Sequence, residues 1–372
     1  MTDRARIEAF LEGVGSGRNR DLAVELLTNV AGLVEEDTDR LDLKITNTTL
    51  KDLRMAFRVF APYRDIPKVT MFGSARTAED DPLYAQAREL AAALSARGWM
   101  VITGAGPGIM AAGMEGAGRD MSFGINTRLP FEQGANAFIT GDPKLVEMKY
   151  FFTRKLMLMK ESDGFVILPG GFGTLDEAFE LLTLTQTGKA EPCPIVLMNR
   201  PGGRYWHTWE SFLRDEVAER GFIDVDDLVL FRVTDDVDAA CGEITGFYRN
   251  YHSRRYVGDL LVIRLKARPT AAEVAALNAS FADVVVRGSI ELVDPLPPEV
   301  AGRDHLALPR LAFRFDQFHH ARLRSMIDTL NGLDSAPALV GVGEGSREAV
   351  AGGLPMEADV RARAAEEGEE EP

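Results

Sequence analysis

From Val69 to about residue 250, short apolar runs alternate with stretches of helical periodicity, and several of the apolar runs end at glycine or proline. This alternation is typical of βαβ units, in which helices connect parallel strands. Strands that are apolar along their whole length indicate a sheet with both faces covered. The pattern therefore predicts an α/β fold, a Rossmann-type doubly wound parallel sheet with helices on both faces.

The predicted strands are KVTMFG (68–73), WMVIT (99–103), SFGIN (122–126), GFVIL (164–168), PIVLM (194–198) and VLFRV (229–233). The predicted helices cover about 81–97, 107–119, 143–161, 174–188 and 206–220, and a last one runs through about 249. In the helix over 143–161, helical spacing indicates a buried stripe that leaves Arg154 outside it. The stripe consists of Met148, Phe152, Leu156 and Met159.

The chain on either side of this pattern has a different character. Residues 1–66 read as a helical N-terminal appendage, and residues 67–250 form the predicted nucleotide-binding domain. Residues 251–335 combine the apolar runs LLVIRL, VVVRGSIELV and LALPRLAFRF with two helical segments, which predicts a small α+β domain. Residues 336–372 are acidic and poor in apolar residues, so we expect a mobile tail.

Charge and composition narrow the classes of partner. A net charge of −15 argues against broad affinity for nucleic acids or anionic membranes. Two cysteines form no disulfide framework, and no signal peptide is evident, so we expect a cytoplasmic protein. The histidines show no ligand spacing with Cys, Asp or Glu, so we predict neither a metal site nor a cofactor.

Three glycine-rich turns each follow a predicted strand and precede a predicted helix. Because the carboxyl ends of parallel strands share one edge, these turns should lie together where ligands bind in open α/β sheets. Glycine lets the main chain approach a phosphate closely, although a glycine can also simply make a tight turn. The candidate phosphate-binding residues in these turns are Gly73, Ser74, Gly104, Gly106, Gly108, Gly170, Gly171, Gly173 and Thr174.

Two charged positions have competing interpretations. Thr174 and Glu177 have the T-x-x-E spacing of a helix capping box, but a carboxylate beside a phosphate-binding turn is also suited to orient water or stabilise positive charge. Arg154 and the adjacent Lys155 are either a solvated helix face or ligand contacts. Lys155 and Met148 complete the set of candidate nucleotide contacts.

The motif PGGFGTLDE (169–177), together with FTRK (152–155) and GAGPGIM (104–110), resembles the LOG ("lonely guy") family, often labelled lysine decarboxylase-like. The resemblance covers about residues 66–250. It implies a nucleoside 5′-monophosphate phosphoribohydrolase that acts on AMP-like or cytokinin-type nucleotides, in which Arg154 and Glu177 carry catalysis. It also implies a homodimer or a higher homo-oligomer. Ala105 stands where the second family turn often has glycine.

Other functions remain as alternatives. A nucleotide-binding sensor without turnover would keep the phosphate-binding edge and transmit a conformational change to the C-terminal extension. A nicotinamide-dependent oxidoreductase fits poorly, because the turn at Gly104–Gly108 lacks the full dinucleotide fingerprint. Decarboxylation normally uses pyridoxal phosphate on a lysine, and no lysine is placed to argue for it.

Overall fold

A computed structural model describes residues 3–14, 19–127 and 134–338. The chain divides into two compact units between Met55 and Ala56. The first unit is helical, with α1 at Asp3–Val14, α2 at Arg20–Glu35 and the larger part of α3, which runs from Arg40 to Phe60. The predicted helical character of the N-terminal appendage is therefore confirmed.

A seven-stranded parallel sheet forms the centre of the second unit, which confirms the Rossmann-type prediction. Its spatial order is β4-β3-β2-β1-β5-β6-β7. The strands are β1 (Lys68–Phe72), β2 (Met100–Thr103), β3 (Ser122–Thr127), β4 (Leu145–Met148), β5 (Gly164–Ile167), β6 (Ile195–Met198) and β7 (Arg232–Thr234). Every residue of β1, β2, β5 and β6 is buried, as expected for strands covered on both faces.

Helices cover both faces of this sheet. They are α4 (Pro82–Ala96), α5 (Ile109–Ala117), α6 (Phe151–Lys160), α7 (Phe172–Gln186), α8 (Tyr205–Phe212) and α9 (Val237–Gly246). On one face, α4, α5 and α9 pack against alternate strand residues such as Val69 and Met71 in a continuous apolar core. The intervening Thr70 faces α6, whose Leu158 carbonyl lies within hydrogen-bond distance of the Thr70 hydroxyl.

The helix predicted over 143–161 is wrong in its first half. Residues Leu145–Met148 form the edge strand β4, which pairs with β3 from Gly124 to Thr127, and only Phe151–Lys160 is helical. The predicted buried stripe is also wrong, because Phe152 and Leu156 are exposed. A strand of four residues is too short to show its own periodicity, and LVEM is buried only at alternate residues. Its pattern therefore merges with that of the helix that follows.

The end of the sheet also differs from prediction. The last strand is Arg232–Thr234 rather than 229–233, because Val225–Leu230 forms a short 3₁₀ helix that Asp224 caps. The Asp224 side chain accepts a hydrogen bond from the backbone N–H of Asp226. An aspartate in front of an apolar segment is a helix-start signal, which the apolar run VLFRV masked.

The region after residue 250 is the predicted α+β arrangement. Its antiparallel sheet has the order β10-β11-β9-β8. The elements are β8 (Tyr251–Val257), β9 (Leu260–Leu265), α10 (Ala271–Ser280), β10 (Glu291–Val293), α11 (Pro297–Gly302), β11 (Arg310–Phe313) and α12 (His320–Gly332). The prediction missed β8 and made β10 too long. The expected mobile tail lies outside the described residues from position 339 onward.

The sheet and α12 enclose an apolar core of their own, to which Leu261, Ile263, Leu311, Leu323 and Ile327 contribute fully buried side chains. The division at residue 335 that we predict between this region and the tail stays a prediction, as do the other domain boundaries. No helix of the described residues is both long and apolar enough to cross a lipid bilayer.

Candidate functional site

The three glycine-rich turns meet at one edge of the parallel sheet. From β1 the chain builds β2, β3 and β4 on one side, and then β5, β6 and β7 on the other. The strand order therefore reverses between β1 and β5, which is where open α/β sheets form a ligand crevice. Two backbone hydrogen bonds join the turns: Ser74 N–H donates to the Pro169 carbonyl at 3.2 Å, and Ile109 N–H donates to the Ser74 carbonyl at 3.1 Å.

The protein itself requires several of these glycines. Gly108 has φ of +66°, and a Cβ there would lie 2.4 Å from the Ser74 carbonyl oxygen. A Cβ on Gly104 would lie 2.1 Å from Nη2 of Arg154, and one on Gly170 would lie 2.1 Å from Oγ1 of Thr174. A Cβ on Gly73 or Gly106 would likewise meet the side chain of Ile109 or Met110. These glycines let neighbouring turns and side chains approach closely, whatever ligand is present.

Gly171 and Gly173 are different, because both are exposed and a Cβ on either would meet no atom of the described residues within 4 Å. They flank the start of α7, which begins at Phe172 with Gly171 as its N-cap and without a side-chain cap. The first backbone N–H groups of a helix have no partner within that helix, and they attract anions. An open surface of bare backbone thus lies at a helix N-terminus beside the crevice.

The capping-box interpretation of Thr174 and Glu177 is wrong. Helix α7 begins two residues before Thr174, so Thr174 lies inside the first turn and Glu177 in the second. No side chain caps α7. Glycine at the N-cap position allows this earlier start, and the T-x-x-E spacing did not reveal it.

Glu177 is half-buried, and its Oε2 atom is buried without a hydrogen-bond partner among the described residues. Burial raises the pKa of this carboxyl group from 4.5 to about 7. Lys155 and Arg154 oppose that rise, whereas Glu180 and Asp176 add to it. Glu177 is therefore a carboxyl group that changes its charge near neutral pH, which is typical of catalytic acids and bases.

Helix α6 brings Arg154 and Lys155 to the site. The guanidinium of Arg154 lies against Gly104, and it lies 6.0 Å from the centre of the Phe151 ring. Lys155 Nζ donates to Asp176 Oδ2 at 2.9 Å and forms an ion pair with Glu180. Burial lowers the pKa of Lys155, but the hydrogen bonds that it donates to Glu180 and Asp176 outweigh burial, so the pKa is raised. With 17% of its side chain exposed, Lys155 does not form a solvated face.

Met148 is a candidate contact outside the glycine-rich turns. It ends the edge strand β4 and is 2% exposed, and β3 separates β4 from β2. Its side chain is part of the packed interior of the described structure. A role for Met148 and Lys155 in nucleotide binding stays a prediction.

Sequence reasoning missed two residues that hold the turns. Tyr205, at the start of α8, donates its hydroxyl to the Gly170 carbonyl at 2.8 Å. The side-chain amide of Asn136 donates to the Gly106 carbonyl at 3.0 Å, and its backbone N–H donates to the Ala105 carbonyl at 2.8 Å. Neither residue lies in a glycine motif, so only the folded chain reveals these contacts.

Ala105 occupies an unusual backbone conformation, because its φ of +60° lies in the left-handed region that favours glycine. It is fully buried, and its backbone N–H donates to Thr103 Oγ1 at 3.1 Å. Alanine at position 105, where the family often has glycine, therefore keeps the left-handed backbone conformation at a cost in conformational strain. Among the described residues, no group of three or more His, Cys, Asp or Glu side chains is placed to hold a metal ion.

The part of the chain that contains these residues is similar to a known protein family. Residues 107–244, which include Arg154, Glu177 and the turn at 169–174, match the family model described as possible lysine decarboxylase. Curated proteins that are similar to this chain include LOG phosphoribohydrolases. Residues 107–244 are therefore similar to the LOG, or lysine decarboxylase-like, family.

Two Arabidopsis thaliana proteins illustrate the relationship. Cytokinin riboside 5′-monophosphate phosphoribohydrolase LOG1 is 43% identical over 70 residues, which cover 19% of this chain and 31% of that protein. Probable cytokinin riboside 5′-monophosphate phosphoribohydrolase LOG6 is 33% identical over 116 residues, which cover 31% of this chain and 54% of that protein. The chain thus spans about a third to about half of the length of these relatives.

Among solved structures, the protein TM1055 is 21% identical, with a TM-score of 0.34, over 47% of this chain and 96% of that one. The molybdenum cofactor carrier protein of Chlamydomonas reinhardtii is also 21% identical, with a TM-score of 0.33, over 47% of this chain and 93% of that one. Similarity at this level has no bearing on what this chain binds.

Proposed function

We propose that the protein is a cytoplasmic nucleoside 5′-monophosphate phosphoribohydrolase, which hydrolyses the N-glycosidic bond of AMP-like or cytokinin-type nucleotides to free base and ribose 5-phosphate. The observation that carries the proposal is Glu177, whose buried oxygen has no partner among the described residues and whose pKa is about 7. It lies on the helix that begins at the open glycines Gly171 and Gly173. The similarity to LOG phosphoribohydrolases supports the same reaction.

The phosphate end of the substrate is proposed to bind at the start of α7. A phosphate there would accept hydrogen bonds from the unpaired N–H groups of the first helical turn, near the exposed Gly171 and Gly173. Binding this remote group would fix the ribose near the second turn of the helix, where Glu177 lies. Binding energy from the phosphate would then serve to orient the reacting bond.

Cleavage of the glycosidic bond develops positive charge on the ribose while the base departs. In the proposed mechanism the Glu177 carboxylate stabilises this oxocarbenium-like ribose and orients a water molecule toward C1′. The water oxygen bonds to C1′, the electrons of the C1′–N bond leave with the base, and the base ends protonated. Arg154, held against the second glycine turn, would steady the phosphate or the departing base.

The first test is incubation of the purified protein with a panel of nucleoside 5′-monophosphates and chromatography for free base and ribose 5-phosphate. We expect release by the wild type and a loss of at least about 100-fold in kcat for Glu177→Gln, because one placed charge or donor contributes on this scale. Glu216→Gln is the matched control. Glu216 is exposed and pairs with Arg220, so this variant should keep full activity.

Binding and turnover are measured together, so that the alternative function is tested too. Nucleotides that bind the wild type and stay intact would refute the enzyme and favour the sensor that transmits binding to the C-terminal region. Equal turnover by wild type and Glu177→Gln would refute the role of Glu177. If Glu177 acts as the carboxylate, kcat/KM of the free enzyme rises with pH through about 7; a fall over that range would assign it the acid role.

We also propose that the protein forms a homodimer or a multiple of it. Three exposed phenylalanines support this proposal, because Phe151, Phe152 and Phe172 lie on α6 and α7 close to the site, and Phe172 is 94% exposed. Exposed aromatic clusters are typical of interfaces. Light scattering at micromolar concentration should give at least twice the mass of one chain, and a monomer would refute the proposal.

A further inference from the structure

The end of α7 opposite to Glu177 faces a small enclosed cavity between the parallel sheet and the C-terminal α+β region. The cavity has a volume of about 10 Å³, which is enough to hold one water-sized atom. Helix α7, the segment before β6, strand β8 and helix α12 all contribute to its wall. The lining residues that matter here are Thr185, Cys193, Arg254, His320 and Arg324.

Two buried arginines line this cavity, with 5% of the Arg254 side chain and 8% of the Arg324 side chain exposed. Arg254 Nε pairs with Glu191 at 3.0 Å, and its Nη2 donates to the carbonyls of Gly188 and Ala190. Its Nη1 is buried and has no hydrogen-bond partner among the described residues. A charged donor that is removed from water without a partner is costly, so this atom indicates a missing ligand.

Arg324 has a similar set of partners. Its Nε pairs with Asp328 at 3.0 Å and its Nη2 pairs with Glu243, whereas its Nη1 has only a long contact of 3.4 Å with the Cys193 carbonyl. On both arginines the carboxylates of the described residues therefore engage Nε or Nη2, and none of them pairs with Nη1. Burial and the charge of Arg254 lower the pKa of His320, which favours the neutral form of its imidazole.

We propose that this cavity is a binding site for one monatomic anion, chloride under ordinary conditions, held by Nη1 of Arg254 and Nη1 of Arg324. An anion matches two desolvated positive donors better than a neutral water does. A phosphate is too large for a space of this volume. The ion would tie β8 and α12 to the segment between α7 and β6.

Bromide is the direct probe, because it replaces chloride and scatters anomalously. Crystals of the full chain grown or soaked in sodium bromide should show an anomalous peak in this cavity within about 3.5 Å of both Nη1 atoms. An ordered water at this position, with bromide bound elsewhere on the same molecule, would overturn the proposal. This measurement uses the wild type, so it does not depend on the folding of a variant.

A solution measurement checks that the site fills at ordinary salt. At equal ionic strength, 0.15 M chloride should raise Tm relative to gluconate, which is too large for the cavity, by about 2–4 °C. Arg254→Met should lose this difference. Arg322→Met is the matched control and should keep it, since Arg322 lies on α12, the helix that carries Arg324, but pairs with Asp283 at the surface. No difference for the wild type would refute a chloride site.

Discussion

The two ends of α7 are built in opposite ways. At its start, Gly171 and Gly173 are exposed and nothing lies within 4 Å of where a side chain would begin. Beyond its last residue, Gly188 has φ of +68° and lies so close to His320 that a Cβ would be 2.2 Å from the imidazole ring. Glycine is thus used at one end to leave backbone open and at the other to admit a neighbouring side chain.

The start of α7 is therefore suited to bind a ligand, whereas its end is suited to stabilise the fold. Arg254, which donates to the carbonyls of Gly188 and Ala190, fixes the closed end with buried contacts. The open end has the unpaired N–H groups of a helix start and no side-chain cap. A change at the closed end should therefore act on folding, and one at the open end on ligand affinity.

The largest expected effect is at the closed end. Gly188→Ala places a methyl group against the His320 ring at a positive φ, and we expect a loss of about 2–4 kcal/mol in the free energy of unfolding. Urea denaturation followed by circular dichroism measures this loss. Gly202→Ala is the control, because Gly202 also has a positive φ of +67° but no neighbour within 4 Å, so it should lose clearly less. Equal losses would mean that His320 is not the cause.

The next effect concerns the charge of Glu177 and depends on pH. A carboxyl group whose folded pKa is about 7 disfavours folding once it ionises. The contribution of Glu177 to the free energy of unfolding is therefore fully present below pH 4.5 and is lost as pH rises through 7. Glu177→Gln should therefore be more stable than the wild type at pH 8, by about 1–3 kcal/mol after allowance for partial exposure. Thermal unfolding at pH 4.5 and pH 8 checks this, and the two proteins should be alike at pH 4.5.

At the open end we expect the opposite balance of effects. Gly173→Ala should leave the free energy of unfolding unchanged or slightly higher, because alanine favours helix and meets no neighbour. The added methyl group would crowd a phosphate, so KM for nucleoside monophosphates should rise about tenfold. Steady-state kinetics beside urea denaturation separates the two results. A stable variant with an unchanged KM would remove this helix start from the proposed phosphate site.

The smallest expected effect is at Tyr205, which connects the open end to α8. Tyr205→Phe removes the hydrogen bond to the Gly170 carbonyl and should cost about 1 kcal/mol in the free energy of unfolding. Because Gly170 belongs to the turn, KM should rise by a few-fold while kcat stays nearly constant. A fall in kcat with constant KM would instead place Tyr205 next to the reacting bond.

Much of the fold follows from local sequence. Buried parallel strands such as GFVI and IVLM are apolar along their length, and a glycine turn marks where several of the strands end, so the sheet and its ligand edge were predictable. Edge strand β4 was not, because four residues beside a helix show no separate period. The resemblance of the motifs to the LOG family singled out Arg154 and Glu177, whereas their spacing alone left structural interpretations open.

The sequence by itself determined the doubly wound sheet, the edge that the three turns share and the charged residues beside it, because these depend on patterns within a few residues. Only the tertiary structure decided that α7 begins at Phe172, that burial raises the pKa of Glu177, and that Arg254 and Arg324 meet around a cavity. The physical reason is that pKa, close approach and unpaired donors depend on the surroundings of an atom. Residues far apart in the chain supply those surroundings.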